Sequence, residues 1–262
     1  MRRVVEVMGV PISFHLPGHR GLAATDPAAA ERAVDDAVDV LRAADRRFSR
    51  HRPGSELTAV RRGLLDVADA SPALQEVVAR GQAAERASDG AFRLTGPDGL
   101  LDTDGVVKGW AAQRAADLLT ARGVTDLCLN AGGDVVVRGG PEPGRPWSVA
   151  VRDPADATRT LAVVHVTDGA VATSGRYERG DHLWDGRTGH PATALASTTV
   201  VAADLTDADV LATAAFARGV GGAAWAVEWG AAWALEVHPD GTPVTAGAGL
   251  PSDRRTRTAS AA

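Results

Sequence analysis

The chain holds a single cysteine, Cys128, among 262 residues, which excludes an internal disulfide. Cys128 lies in the apolar run 126–130, Asp-Leu-Cys-Leu-Asn, and this setting favours a buried structural thiol over a catalytic one. No apolar run approaches the ~20 residues of a membrane-spanning helix. An excess of positive charge is also lacking, since the formal net charge is -5 and the pI about 5.8. The sequence therefore shows neither a membrane span nor the basic footprint of a nucleic-acid-binding protein.

A secretion signal is not apparent near the start of the sequence. The first eight residues carry Arg2 and Arg3, but Glu6 interrupts the apolar run that a signal peptide requires, and no lipoprotein cysteine follows. The sequence as written predicts a cytoplasmic protein, and an extracytoplasmic one if the true start lies upstream.

The composition is that of a soluble globular domain, with 45% hydrophobic and 23% charged residues. The chain has no internal repeat and no long linker. We therefore expect one α+β domain over residues 1–250. Residues 251–262 are small, polar and basic, which predicts a disordered tail.

Periodicity and capping signals predict the elements. A strand is expected over 3–16, interrupted at 8–11. Ser71-Pro72 predicts a helix that runs to about Ser88, because Ser is a favoured N-cap and Pro a favoured first helical residue. Further helices are predicted over 28–48, 107–122 and 222–230, and in the segment 207–216. Further strands are expected at 125–130, 135–138, 147–153, 161–166, 197–203, 231–237 and 243–245.

The segment 207–216 carries the most informative pair of side chains. Asp209 and Thr213 are four residues apart, so on a helix they share one face. Both offer hard oxygen donors of the kind that Mg²⁺ accepts. Taken alone, however, an Asp and a Thr near a helix start are more often capping or solvated residues.

Three other segments could bind a phosphate or a nucleotide. Lys108 follows Gly105 at the mouth of a helix, where backbone N–H groups and the helix dipole attract anions. The segment 130–134 combines Asn, two glycines and Asp, and it is either a ligand-binding turn or a plain hairpin turn. The segment 172–189 is rich in polar groups; His182 can act as a base and Arg187 can pair with phosphate, although both could equally be ordinary surface residues.

Taken in order, these segments resemble the FAD:protein FMN transferase (ApbE-like) family. The matching pieces are MGVPISF (8–14), FSRHRPGSEL (48–57), GAF (90–92), LDTDGVVKGWAAQRAADLL (101–119), LNAGGDVVVRG (129–139), WSVAVRDP (147–154), VATSGRYER (171–179), HLWDGRTGHP (182–191) and DADVLATAAFARG (207–219). They span most of the chain, and their order makes the match specific. The resemblance implies a single α+β domain with mixed or antiparallel sheets, packed helices and a central FAD cleft.

The resemblance also implies a reaction. A Thr or Ser hydroxyl of a target protein, of the FMN-binding domain type, attacks bound FAD at its FMN phosphate, and AMP leaves. The metal ligands implied for Mg²⁺ are Asp209, Thr213 and the backbone carbonyl of Val107, and the implied catalytic base is His182. The residues implied to line the FAD site are Ser55, Glu56, Lys108, Asn130, Gly132, Gly133, Asp134, Thr173, Ser174, Gly175, Asp185, Arg187, Thr188 and Gly189.

The sequence departs from the family pattern in three places. Gly186 replaces the proline of the usual Asp-Pro-Arg-Thr-Gly, Asp104 brings a negative charge close to the phosphate-binding helix, and the segment 90–101 is shorter than is typical. Two alternatives to transfer therefore stay open. One is an Mg²⁺-dependent FAD pyrophosphatase that yields FMN and AMP, and the other is a protein that only binds FAD.

Overall fold

The computed structural model describes residues 1–176 and 183–248, so Tyr177, His182 and the predicted tail 251–262 lie outside the described residues. The strands are β1 (Arg2–Val7), β2 (Val10–His15), β3 (Leu127–Ala131), β4 (Asp134–Arg138), β5 (Trp147–Arg152), β6 (Thr160–Val166), β7 (Gly169–Gly175), β8 (Trp184–Asp185), β9 (His190–Pro191), β10 (Ser197–Ala202), β11 (Trp233–Val237) and β12 (Pro243–Gly247). The α-helices are α1 (Leu22–Thr25), α2 (Pro27–Phe48), α3 (Glu56–Arg61), α4 (Pro72–Ala87), α5 (Asp104–Ala121), α6 (Leu205–Arg218) and α7 (Gly222–Glu228), with a 3₁₀ turn at Val67–Asp69. This is the predicted α+β class.

Eight strands form the main sheet in the order β1-β2-β3-β4-β7-β10-β11-β12, and every neighbouring pair is antiparallel. Strands β5 and β6 form a separate hairpin, and β8 and β9 a short one. None of the helices in the described ranges is long and apolar enough to cross a membrane.

Strand alternation gives the sheet two apolar faces. Val136, Ala172 and Val200 point to the face covered by α2, α4, α5 and α6, where the larger core lies. Val135 and Val171 point to the opposite face, where Trp147 and its neighbours from β5 and β6 cover them. Along one strand, successive side chains therefore lie alternately on the helix side and on the hairpin side of the sheet.

The helix starts follow the local sequence signals. The side chain of Ser71 accepts a hydrogen bond from the N–H of Leu74, and α4 ends before Asp89 and Gly90, which both have positive φ. This confirms the helix predicted from Ser71-Pro72. Helix α5 begins at Asp104 in place of 107, because the Asp102 carboxylate accepts the N–H of Asp104 (2.9 Å) ahead of the apolar periodic residues.

The prediction of one interrupted strand over 3–16 was wrong. Met8 and Gly9 have φ of 55° and 70°, and they form a tight turn between two antiparallel strands, β1 and β2. Consecutive residues with positive φ reverse the chain in the sense that matches the strand twist. Cys128 lies on β3 and is half-buried.

Candidate active site

A cluster of charged side chains lies where α5 and α6 meet the strands β4 and β7. The ammonium of Lys108 pairs with the carboxylate of Asp134 and lies 3.7 Å from Oδ1 of Asp209. The two carboxylates are buried, with side chains 2% and 5% exposed, whereas Lys108 is 24% exposed. Lys108 is also the only lysine among the 28 Lys and Arg residues of the chain. Two acidic groups thus converge on one basic group, and these three side chains together carry one formal negative charge.

Gly109 allows α5 and α6 to approach closely at this point. A Cβ at this position would lie 2.5 Å from the carbonyl oxygen of Leu205 and 2.7 Å from Cβ of Asp209. The backbone N–H of Gly109 donates a hydrogen bond to Oδ2 of Asp209, 2.9 Å away. The Lys-Gly pair of the sequence therefore supplies both the charge and the space that place the Asp209 carboxylate.

Thr213 lies one turn beyond Asp209 on α6, and both side chains face α5, as their spacing predicts. The methyl group of Thr213 lies 3.6 Å from where a Cβ at Gly105 would be. The hydroxyl of Thr213 lies 3.1 Å from Oγ of Ser174. Val107, buried in α5, is placed between Gly105 and Gly109. The three positions that the resemblance assigns to a metal therefore come from the facing turns of two packed helices.

Asp134 connects the cluster to the sheet. Its Oδ1 accepts the backbone N–H of Thr173 at 3.0 Å, while its other oxygen pairs with Lys108. The hydroxyl of Thr173 lies 2.9 Å from that of Thr199. Successive residues of a strand point to opposite faces, so Ser174 faces α6 while Thr173 faces the hairpin side. Thr199 was not singled out in the sequence, and nothing in its surroundings there would have done so.

The turn between β3 and β4 contains the predicted residues Asn130, Gly132 and Gly133. Oδ1 of Asn130 accepts the N–H of Gly133 at 2.8 Å, and the two glycines have φ of 63° and 109°. The turn is thus closed by its own side chain, and it leads directly into Asp134. Gly175 is buried at the end of β7.

The polar contacts of Ser55 and Glu56 join α2, α3 and α4. Oγ of Ser55 accepts the N–H of Thr58 (3.0 Å) and caps α3. The Glu56 carboxylate accepts the hydroxyl of Ser71 (2.6 Å) and lies 3.2 Å from Nε of Arg47. These contacts give both residues a structural role at a helix junction.

The loop 185–189 is held together by an internal ion pair. Nε and an Nη nitrogen of Arg187 donate to the two oxygens of Asp185 at 2.9 and 2.8 Å, and the same Nη reaches the carbonyl of Arg218, 3.1 Å away. The Arg187 guanidinium holds the pKa of the Asp185 carboxyl below its usual value. The N–H groups of Thr188 and Gly189 donate to the carbonyl of Asp185. Arg187 is therefore engaged with its own loop and with the C-terminal end of α6.

The structure gives a physical reason for Gly186. Its N–H donates to the carbonyl of Ala91 at 2.8 Å. A Cβ there would lie 2.4 Å from the carbonyl oxygen of Gly90 and 2.4 Å from Cγ of Arg93. The chain from Gly90 onward packs directly against the loop, so a proline would lose a hydrogen bond and collide with the backbone.

Asp104, a second departure from the family pattern, forms an ion pair with Arg50. Its carboxylate lies 2.8 Å from an Nη nitrogen of Arg50, and the side chain is half exposed. Asp104 therefore faces a basic residue at the protein surface.

The donors at Asp209, Thr213 and Val107 are a carboxylate, a hydroxyl and a backbone carbonyl. All three are hard oxygens, and Mg²⁺ is commonly bound by one or two carboxylates with water and substrate phosphates in the remaining positions. Within residues 1–176 and 183–248, no group of three or more His, Cys, Asp or Glu side chains could hold a metal ion. The donor set thus fits a magnesium-type site that a phosphate-bearing ligand completes, and it does not fit a zinc-type site.

A groove of about 820 Å³ lies between α2, the start of α4, and α5, and its wall includes Val40, Ala44, Trp110 and Leu118. Among the described residues, the groove and the charged cluster share no lining residue.

Comparisons with known proteins agree with the resemblance seen in the sequence. The ApbE family model matches residues 8–98 and 93–233. A Klebsiella pneumoniae protein named FAD:protein FMN transferase is 34% identical over 123 residues, which are 43% of this chain and 35% of that protein. A Salmonella typhimurium protein of the same name is 31% identical over 155 residues, 55% of this chain and 43% of that protein. The chain thus spans less than half the length of these curated relatives.

Solved structures share the fold. Pseudomonas stutzeri flavinyl transferase ApbE in its apo form has a TM-score of 0.78 at 23% identity, with 95% of each chain covered. Flavin transferase ApbE from Vibrio cholerae has a TM-score of 0.76 at 21% identity, with 95% of this chain and 98% of that chain covered. The family model covers most of the sequence and these folds cover nearly all of it, so this chain belongs to the ApbE family.

Proposed function

We propose that this protein is an Mg²⁺-dependent FAD:protein FMN transferase, which moves the FMN part of FAD onto a Thr or Ser hydroxyl of a target protein and releases AMP. The observation that carries the proposal is the convergence of Lys108, Asp209 and Thr213 at the contact between α5 and α6. These are the positions at which the family resemblance places the phosphate-binding lysine and the metal pair. The relatives from Klebsiella pneumoniae and Salmonella typhimurium carry the name of this activity.

The reaction exchanges one phosphorus–oxygen bond for another. The hydroxyl oxygen of the target forms a bond to the phosphorus of the FMN phosphate, and the bond from that phosphorus to the bridging oxygen breaks. AMP leaves with the bond's electron pair, and the hydroxyl proton passes to a base. We assign the role of base to His182, which lies outside the described residues, from its place in the HLWDGRTGHP segment.

The residues of the cluster would position FAD and the magnesium ion and supply positive charge to the FAD pyrophosphate. Lys108 holds a positive charge beside two buried carboxylates, where it can also meet the pyrophosphate of FAD. Asp209, Thr213 and the carbonyl of Val107 would hold the magnesium ion, with Thr213 oriented by Ser174. The ion, when bound, supplies positive charge on the phosphate oxygens and a template for in-line attack.

The test is one incubation of the purified protein with FAD and MgCl₂, with and without a flavin-acceptor domain. AMP is quantified by chromatography and the acceptor by intact mass. Transfer predicts AMP release together with a mass gain of one FMN on the acceptor. AMP release without a mass gain, in the presence of several acceptor domains, would establish the pyrophosphatase. Bound FAD with no AMP would leave only flavin binding.

Asp207→Asn is a matched control for a change at Asp209. Asp207 lies on the same helix and is half exposed, and it pairs with Arg80 in place of the cluster. We expect Asp209→Asn to abolish Mg²⁺-dependent AMP release and Asp207→Asn to preserve it.

A further inference from the structure

The ammonium of Lys108 occupies the position of a small cation between two buried carboxylates. It lies closer to Asp134 than to Asp209, so the contact with Asp209, at 3.7 Å, is the looser of the two. Its side chain is 24% exposed, whereas the two carboxylates are buried. A lysine is suited to such a role because its charge is compact and sits on a flexible four-carbon stem, whereas arginine presents a rigid planar fork.

The scarcity of lysine in the chain also indicates a specific role for Lys108. Of the 28 Lys and Arg residues, 27 are arginine, and the single lysine is the one that lies between Asp134 and Asp209. A general preference for lysine therefore does not account for its presence at 108.

We propose that Lys108 is a tethered cation that neutralises Asp209 in the metal-free protein and that withdraws to Asp134 when a divalent cation binds Asp209. Asp134 is then the positioning residue that receives the ammonium, and its hydrogen bond to the N–H of Thr173 holds it in place for this purpose. The inference rests on the proposed function only in taking Asp209 as a metal ligand.

The two states of this exchange keep the buried carboxylates compensated. Without a divalent cation, the Lys108 ammonium pairs with both Asp134 and Asp209. With the cation on Asp209, the ammonium pairs with Asp134 and no longer with Asp209. A buried carboxylate is stabilised by a paired cation, so Lys108 contributes to the stability of Asp209 in the metal-free site and competes with the metal for it.

The first test needs no variant and no flavin. Because Lys108 is the only lysine, protein grown with lysine labelled with ¹³C at Cε gives a single side-chain resonance from this position. We expect MgCl₂ to move that resonance along a saturable curve whose midpoint equals the dissociation constant measured by calorimetry. A resonance that stays unmoved while calorimetry detects saturable Mg²⁺ binding would overturn the proposal but leave the metal assignment intact. Absence of saturable Mg²⁺ binding would overturn both.

The second test compares Mg²⁺ affinity in FAD-free variants. Removing the competing ammonium with Lys108→Met should tighten Mg²⁺ binding about tenfold. Arg50→Met is the matched control, because it also removes one positive charge near α5 but contacts Asp102 and Asp104 in place of Asp209. An equal gain in affinity in both variants would indicate a general effect of net charge and would contradict direct competition.

A double-mutant cycle tests whether Asp134 affects Mg²⁺ binding by receiving the Lys108 ammonium or only through its negative charge. Asp134→Asn should weaken Mg²⁺ binding in the wild-type background, because the ammonium loses its second position and stays with Asp209. The same change should have much less effect in the Lys108→Met background. Equal weakening in both backgrounds would show that Asp134 acts through its charge alone, which would overturn its positioning role.

Discussion

Oδ2 of Asp209 accepts the backbone N–H of Gly109 at 2.9 Å, and a Cβ at Gly109 would lie 2.7 Å from Cβ of the same aspartate. The Asp209 carboxylate thus lies against the backbone of α5, at a position where any side chain larger than that of glycine would collide with it. The position of the proposed metal ligand depends on this helix contact as much as on α6 itself.

Gly109→Ala should reduce stability and displace Asp209. Overpacking at a close helix contact costs about 1–3 kcal/mol, and the better helix propensity of alanine offsets up to about 1 kcal/mol of that. Urea unfolding measures the stability, and the Mg²⁺ dependence of FMN transfer reports the position of the carboxylate. Gly54→Ala is the control, since no atom of the described residues lies within 4 Å of a Cβ at that position. A Gly109→Ala protein with wild-type stability and Mg²⁺ dependence would contradict this reading of the contact.

Gly186 should resist replacement by the proline that the family usually carries. Gly186→Ala adds only the Cβ that collides with the carbonyl of Gly90, and we expect a loss of about 1–3 kcal/mol. Gly186→Pro also removes the hydrogen bond to Ala91, which should cost a further ~0.5–1.5 kcal/mol. Thermal unfolding of the three proteins measures both steps. A proline variant as stable as the parent would mean that the 90–101 segment does not constrain the loop.

The Asp185–Arg187 pair predicts a pH-dependent contribution to stability. The pKa of Asp185 is lowered in the folded protein, first by the hydrogen bonds from Arg187. Stability gained this way is fully present above the unfolded-state pKa of about 3.9 and is lost as the pH falls through the lowered folded pKa. The destabilisation caused by Arg187→Met should therefore be larger at pH 7 than at pH 3.

Denaturant unfolding at the two pH values measures this difference. Arg145→Met is the control, because Arg145 and its partner Glu142 are both mostly exposed and their pair should contribute little at either pH. A loss for Arg187→Met that is the same at pH 3 and pH 7 would contradict the role assigned to this ion pair.

Cys128 should react slowly with thiol reagents in the native protein. Burial raises the pKa of its thiol to about 11, so only about one molecule in a thousand carries the thiolate at pH 8. Alkylation followed by mass spectrometry should show slow native labelling that becomes fast in denaturant. Rapid labelling of the native protein would show that the thiol is more accessible than its place on β3 implies.

The parts of the structure that the sequence predicts well are those set by neighbouring residues. The start of α4 follows from Ser71-Pro72, and the shared face of Asp209 and Thr213 follows from their spacing on α6. The β1–β2 turn was missed because Met8 adopts a positive φ, which no residue type at that position announces.

The contacts that define the candidate site depend on the tertiary fold. Lys108 meets Asp134 only because the sheet order places β4 beneath α5 and α6, and the sequence contains no local sign of this pairing. Similarly, Gly186 was a visible departure from the family pattern, but its cause lies in the packing of Gly90 and Arg93 against it. Ser55 and Glu56, in turn, have local capping and junction contacts that their sequence motif does not separate from a ligand-binding role.

The most direct test of the account measures the rate of FMN transfer to an acceptor domain, by intact mass, for the wild-type protein and Asp209→Asn across a range of Mg²⁺ concentrations. The asparagine keeps the size of the side chain but removes the charge that a divalent cation requires. The account predicts a saturable Mg²⁺ dependence in the wild type and a rate at least about 10²-fold lower in the variant. Transfer by Asp209→Asn at the wild-type rate, with an unchanged Mg²⁺ dependence, would contradict it.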